Sequence, residues 1–236
     1  MQLSIVIPAF NEALHIRQCV AAARCAAEAT GRPHEIIVVN DASEDDTAAR
    51  ARAAGARVID VNRRQIAAVR NAGAAAATGE LLVFIDGDTL VKPATLIATC
   101  DAVDRGFVAG GAPVAFDAHA DLPAGLAVAL WNFISRVRRL AAGSYLFVTR
   151  QAFEAVGGFD EALFAAEEVN LSRRLHRRWP FAIVSPAVVT SSRKLRTHRW
   201  TDHFITLFRV LLTRGRALRS REHLHLWYDG QRTERP

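Results

Sequence analysis

Four strand-like runs fall within the first 90 residues, and each is followed by a stretch with helical periodicity. The runs cover residues 3–9 (LSIVIPA), 35–40 (EIIVVN), 56–61 and 81–85 (LLVFI). Nearly continuous apolar runs of this length suit strands buried on both faces, as in a parallel sheet. The intervening segments read as helices over residues 11–29, from a cap at Asp41 or Ser43 to 54, and over 65–77, with Asn11 a candidate cap for the first. Successive βα units imply an α/β fold, a mainly parallel sheet covered by helices on both faces with right-handed crossovers. Ligands of such sheets sit beyond the carboxyl ends of the strands. Asn11 and Glu12, Asp41, and Asp86 with Asp88 follow the first, second and fourth runs, so three strands deliver carboxylates to one edge.

The remainder is less regular. Helices are expected over 92–105, 122–140, 151–156 and 165–178, with strands over 107–116, 143–149 and 182–190. A basic, amphipathic segment begins at Arg193. With 236 residues and half of them apolar, the chain buries a core without disulfides or a structural metal. We expect one domain over residues 1–192, with 193–236 as a basic helical extension packed on it. Three cysteines without metal or redox spacing fit a reducing compartment. Met1 leads directly into a strand-like run, and no apolar stretch reaches the roughly 18 residues of a membrane span. The expected location is cytoplasmic, with peripheral contact on the inner membrane face as a further reading.

Charge is divided unevenly. Residues 1–121 carry 11 basic and 15 acidic side chains, whereas 122–236 carry 19 and 9. A basic half suits a solvated surface, an anionic ligand, a nucleic acid or an anionic membrane. A nucleic-acid partner is not expected, because the basic residues lack interleaved surface aromatics and no recognised module is present.

Asp86-Gly87-Asp88 is weak evidence alone, since 13 Asp residues give about 0.7 Asp-x-Asp matches by chance. Its place after a buried strand is more informative. Paired carboxylates there are hard ligands for Mg²⁺ or Mn²⁺, which completes its shell with phosphate and water; a capped turn is the structural alternative. Asp41 reads equally as a helix cap or as a carboxylate accepting from a nucleobase imide. Glu167 and Glu168 open a helix, where acidic side chains favour the dipole, and either is also a candidate to take a proton from an attacking hydroxyl. Arg63, Arg64 and Arg70, with Asn71, are spaced to meet an anion.

The ordered segments SIVIPAFNEA, IIVVNDASEDDT, RNAGAAAATGELLVFIDGDT and GGFDEALFAAEEVNLSRRL together resemble the inverting glycosyltransferase family 2, with its GT-A (Rossmann-like) fold, over residues 3–175. The resemblance implies a nucleotide-sugar donor, a divalent metal and an acceptor of unknown identity, a glycan or a lipid-linked one. It implies a donor pocket lined by Pro8, Ala9, Phe10 and Glu12, with Asp41 on the base, usually uracil. Asp86 would lie near the ribose and Asp88 on the metal bridging the diphosphate; Arg70, from its spacing, is a further donor-binding candidate. Asp86 is a second candidate metal ligand. The catalytic base falls on Glu168.

Three departures stand out. The family's Glu-Asp pair is Glu-Glu here, so Glu167 is a second candidate base, and Asn170 replaces a frequent acidic residue. The family's usual basic residue before the Asn-Ala-Gly segment is not matched cleanly, and Gln65 or Arg64 is the candidate for its place.

Residues 196–200 (RTHRW) match a pattern of processive relatives, which makes His198 a further candidate metal ligand. Residues 203–212 (HFITLFRVLL), followed by Arg214, Arg216, Arg219 and Arg221, read as core packing or as a basic amphipathic helix on an anionic membrane. A nucleotidyltransferase is the nearest rival, but Pro8-Ala9-Phe10-Asn11-Glu12 contains neither the Gly nor the Lys of its phosphate loop.

Overall fold

The computed structural model of the chain describes residues 1–117 and 122–192. The first half alternates β1 (Leu3–Ala9), α1 (Ile16–Ala29), β2 (His34–Asp41), α2 (Thr47–Ala53), β3 (Arg57–Val61), α3 (Ile66–Ala76) and β4 (Leu81–Ile85). The second half runs β5 (Thr89–Leu90), α4 (Pro93–Asp104), β6 (Ala109–Gly111), β7 (Val114–Phe116), α5 (Leu122–Arg138), β8 (Tyr145–Thr149), α6 (Arg150–Ala155), α7 (Glu167–His176), β9 (Phe181–Ile183) and β10 (Val188–Thr190).

Seven strands form the main sheet in the order β3-β2-β1-β4-β8-β6-β9. β1 pairs in parallel with β2 and β4, and β2 with β3. β8 runs against both of its neighbours, and β9 is parallel to β6. Strand order reverses at β1: β2 and β3 extend to one side and β4 to the other. This is the kind of switch point where open α/β sheets form a ligand crevice.

The period-two alternation of β1 divides the core. Leu3, Ile5 and Ile7 pack with Ile16, Cys19 and Val20 of α1 and with Leu96 and Cys100 of α4. Val6 faces the opposite layer, with Ala67 and Val69 of α3, Phe153 of α6, and Leu171 and Leu175 of α7. Helices thus cover both faces, as the apolar runs require.

Where two long strands were expected, over 107–116 and 182–190, the structure has four short ones. Pro113 and Pro186 offer no N–H to a ladder. The paired segments leave the main sheet together: Val184 N–H donates to Gly111 O at 2.9 Å and Val188 N–H to Pro113 O at 2.9 Å. β10 then pairs with β7 and β5 in a separate three-stranded sheet. That small sheet brings Thr190 beside Asp88.

Asn11 does not cap α1. It takes a left-handed conformation (φ 52°), and the helix begins only at Ile16. Its carboxamide instead accepts from Glu44 N–H at 2.9 Å, while its own N–H donates to Ser43 Oγ at 3.0 Å. The expected cap of α2 also differs. The N-cap is Asp46, rather than Asp41 or Ser43, and makes no side-chain cap bond; Asp45 accepts from Thr47 N–H at 3.0 Å.

Candidate active site

The candidate residues gather along the carboxyl edge of β1, β2 and β4, where the backbone is held in unusual conformations. Asn11 follows β1, Ala42 (φ 53°) follows β2, and Arg64 (φ 51°) follows β3. Ala166 (φ 58°) immediately precedes Glu167. Left-handed non-glycine residues cost about 1–3 kcal/mol each and persist where surrounding contacts impose them. Four of the five such residues among those described border this edge.

At one end lies Asp41, which is buried and accepts backbone N–H bonds from Arg63 at 2.6 Å and Arg64 at 3.1 Å, both through Oδ1. The Arg64 guanidinium stacks over the Phe10 ring with its centre 4.5 Å from the centroid, and it donates to Ala42 O at 3.3 Å. A flat cationic group and an aromatic ring thus stand at the ends of β1 and β3, beside a buried carboxylate.

Pro8 and Ala9 end β1, and Glu12 is buried just beyond them, its N–H donating to Thr47 Oγ1 at 2.7 Å. Gly87 lies against this segment. A Cβ there would stand 3.2 Å from Glu12 Cγ and 3.3 Å from Pro8 O, tight enough to force a shift. Asp88 Oδ1 accepts from Thr190 Oγ1 at 3.3 Å.

The other end is a buried ionic cluster centred on Arg70. Arg70, on α3, is 2% exposed. Nη2 donates to Asp86 Oδ1 at 2.8 Å and to Gly143 O at 3.0 Å, and Nη1 donates to Glu167 Oε1. Burial works against the charge of this guanidinium, but Asp86, Glu167 and Glu168 hold its pKa above the ordinary arginine value. Glu167 is itself buried at the start of α7. Glu168 has no such partner from the guanidinium. Burial and then the adjacent Glu167 push its carboxyl up to about 8, with Arg70 pulling the other way.

Gly143 is the meeting point. A Cβ at this position would lie 3.2 Å from Arg70 Nη2, 3.7 Å from Glu168 Cδ and 3.9 Å from Asp86 Oδ2. A side chain here would press on the Arg70 guanidinium and touch the carboxylates of Glu168 and Asp86.

Several expectations are thereby revised. Arg70 meets anions, and here they are the carboxylates of Asp86 and Glu167, each accepting from one of its terminal nitrogens. Arg64 lies over Phe10 and Asn71 turns to Phe159, so neither joins it on one anion. Asn71 bonds instead to both backbone groups of Phe159, at 3.0 and 2.9 Å. Gln65 caps α3 by accepting from Ala68 N–H at 2.6 Å and ties it to the carbonyls of Glu161 and Leu163. It therefore faces the 161–163 loop and takes no place in the ligand edge. His198, the 196–200 pattern and the 203–212 segment lie outside the described residues.

The sequence offered no signal for Gly143 or Thr190, whose positions depend on strand pairing far along the chain. A concavity of about 450 Å³ also lies beside the cluster, lined by Asn71, Phe159, Asp160, Glu161, Asn170 and Arg174.

Asp86 and Asp88 supply hard oxygen donors of the kind Mg²⁺ and Mn²⁺ take. Among the described residues no three His, Cys, Asp or Glu side chains form a metal cage. The donor set fits a cation that takes its remaining ligands from phosphate and water.

Residues 4–150 match the model of the family described as Glycosyl transferase family 2. The undecaprenyl-phosphate 4-deoxy-4-formamido-L-arabinose transferase of Klebsiella pneumoniae is 30% identical over 114 residues, covering 45% of this chain and 35% of that protein. The chain thus spans about a third of that curated relative's length. Among solved structures, the mannosyltransferase PcManGT from Pyrobaculum calidifontis, in complex with GDP-Man and Mn²⁺, superposes with a TM-score of 0.65 at 18% identity, over 99% of this chain and 65% of that one. Glucosyl-3-phosphoglycerate synthase from Mycobacterium tuberculosis, in complex with Mn²⁺, UDP and phosphoglyceric acid, gives 0.62 at 21%, over 91% and 78%. These likenesses establish the GT-A fold. The family match covers more than half the chain, from β1 to the end of β8 and through the Asp86–Asp88 turn, and the chain belongs to glycosyltransferase family 2.

Proposed function

We propose that the chain transfers a sugar from a UDP-sugar to a lipid-linked acceptor, inverting the anomeric centre. The observation that carries this reading is the convergence of Asp86, Arg70 and Glu168 on Gly143, with Glu167 bonded to Arg70, beside the carboxyl ends of β1 and β4. The undecaprenyl-phosphate relative supports the acceptor class, and the UDP-bound neighbour supports the donor.

In this reading Asp41 accepts from the base, and Phe10 with Arg64 walls its pocket. Asp88 and Asp86 are the residues that would hold a divalent cation. When bound, that cation offsets charge accumulating on the departing nucleoside diphosphate. Glu168 takes the proton of the acceptor hydroxyl as that oxygen bonds to the anomeric carbon. The bond from carbon to the donor's phosphate oxygen breaks on the opposite side, and its electron pair leaves with the diphosphate. A carboxyl near 8 is well matched to this work, because a general base is most effective when its pKa lies near the working pH. Glu167 cannot share the task while Arg70 holds it. Its role is to keep Arg70, and through it Asp86, in place.

No helix among the described residues is long and apolar enough to cross a membrane. Peripheral contact through residues 193–221 belongs to this proposal and concerns residues outside those described.

Melting curves with UDP- and GDP-sugars, with and without Mn²⁺, test the donor assignment, since a ligand that binds only the native state raises the melting temperature. A rise with a UDP-sugar that needs the metal is expected. No response to any nucleotide sugar would refute the reading.

A further inference from the structure

Helix α5 carries two apolar faces, and the fold uses only one. On the inner face Ala124 and Ser135 are buried, and Val128 and Trp131 pack against the core of the sheet's first face. Asn132 fixes the helix to β7 by accepting from Val114 N–H at 2.9 Å and donating to Val114 O at 2.8 Å. Two positions along, with the same helical spacing, the outer face presents Leu126, Leu130, Phe133 and Val137, which are 65%, 61%, 66% and 61% exposed. Of the nine exposed large apolar residues among those described, five lie on this helix, counting Ile134. Single exposed apolar side chains are ordinary, but a contiguous stripe marks an interaction surface.

The charges beside the stripe indicate its partner. Residues 122–140 contain no Asp or Glu, and Arg136, Arg138 and Arg139 are exposed at the helix's C-terminal end. A stripe of this kind with a cationic rim is complementary to an anionic bilayer, where apolar side chains enter the headgroup boundary and guanidinium groups meet lipid phosphates. The basic segment after Arg193 would bring like charge to that rim, and a second copy docked stripe to stripe supplies no counter-charge. The stripe is also close to the chemistry in sequence: after Arg139 the chain passes through Leu140, Ala141 and Ala142 to Gly143, which borders Glu168.

We propose that α5 lies along the surface of an anionic membrane and holds the Gly143 side of the site toward acceptors embedded in it. The purpose assigned to this docking rests on the transferase reading above; the docking itself does not. At 17 residues, the helix is about 25 Å long, suited to lying in the interface.

The test is co-sedimentation of the full chain with vesicles of phosphatidylcholine alone and with about a third phosphatidylglycerol. Binding should be at least about tenfold stronger to the anionic vesicles. The double substitution Leu130→Glu/Phe133→Glu should weaken it at least about tenfold, with melting temperature and donor-induced shift unchanged. Arg136→Gln/Arg138→Gln should remove the preference for anionic lipid. Three results would overturn the inference: no binding of the unmodified chain to anionic vesicles, equal binding by the stripe variant, or a dimer in vesicle-free sedimentation that the stripe substitutions dissociate. Vesicle binding that survives while no nucleotide sugar shifts the melting curve would uphold the docking and refute the transferase reading alone.

Discussion

The two ends of the candidate site handle their carboxylates in opposite ways. Asp41 is held by neutral donors, the backbone N–H groups of Arg63 and Arg64, and both bonds use the same oxygen. At the other end three carboxylates, Asp86, Glu167 and Glu168, share one buried guanidinium. Two of them bond to it and the third is left with its proton affinity raised. A carboxylate fixed by neutral groups keeps an acceptor for another neutral donor, as a base offers. A cluster with more negative than positive charge suits a cation and a proton, the two species that sugar transfer must handle.

Removing Arg70 should break the contrast most severely. Arg70→Met leaves Asp86 and Glu167 buried without their counter-ion, and breaking such a pair costs about 3–5 kcal/mol. A large drop in the melting temperature and loss of transfer are expected; a variant as stable as the parent would show that the cluster is not held by this charge.

Glu168→Gln is the next largest in effect. Turnover should fall by about 10²–10⁴ while metal-dependent donor binding persists, as separate calorimetric and activity assays would show. Full activity would remove Glu168 from the chemistry.

The same side chain gives a stability signature. Its carboxyl titrates at about 8 in the native state against 4.5 ordinarily. Between those values the folded protein holds a proton here that the unfolded chain has released, so this group's contribution to stability falls as pH rises through the window. Denaturant melts from pH 5 to 8 should show this decline in the parent and a shallower one in Glu168→Gln. Identical slopes would contradict the assignment.

The smallest effect belongs to the neutral end. Asp41→Asn retains an oxygen for the Arg63 and Arg64 N–H groups, so stability should change by only about 1 kcal/mol. UDP-sugar affinity should weaken about tenfold, the worth of one hydrogen bond to a charged group. Unchanged affinity would take Asp41 out of the donor pocket.

The same division separates what could be read from the sequence. β1 and β4 lie where their apolar runs place them, at Leu3–Ala9 and Leu81–Ile85, and β2 and β3 differ by a residue at their ends. Parallel strands buried on both faces have to be continuous apolar runs, so local composition reveals them. The carboxylates that end these strands were legible for the same reason. The ionic cluster was not, because its partners are far apart in the chain: Arg70 with Glu167, and Arg70 and Glu168 with Gly143. An arginine bound for a buried carboxylate resembles any other arginine in sequence. The paired exit of β7 and β10 from the main sheet was hidden likewise, since it depends on two distant segments breaking at Pro113 and Pro186 together. Asn11 misled for a local reason. It has the composition of a helix cap, but its left-handed backbone turns it toward Ser43 and Glu44.

The claim at the centre is that Arg70 neutralises Glu167 and leaves Glu168 as the only carboxyl in the cluster able to accept the acceptor's proton near neutral pH. The pH dependence of kcat/KM, measured with donor and Mn²⁺ supplied, tests it most directly. The account predicts a rise of about tenfold per pH unit at low pH that levels off only above the ordinary carboxylate range, and a profile in Glu168→Gln that lacks this ionisation. A rate already level from pH 5 upward, or the same rise in Glu168→Gln, would contradict it.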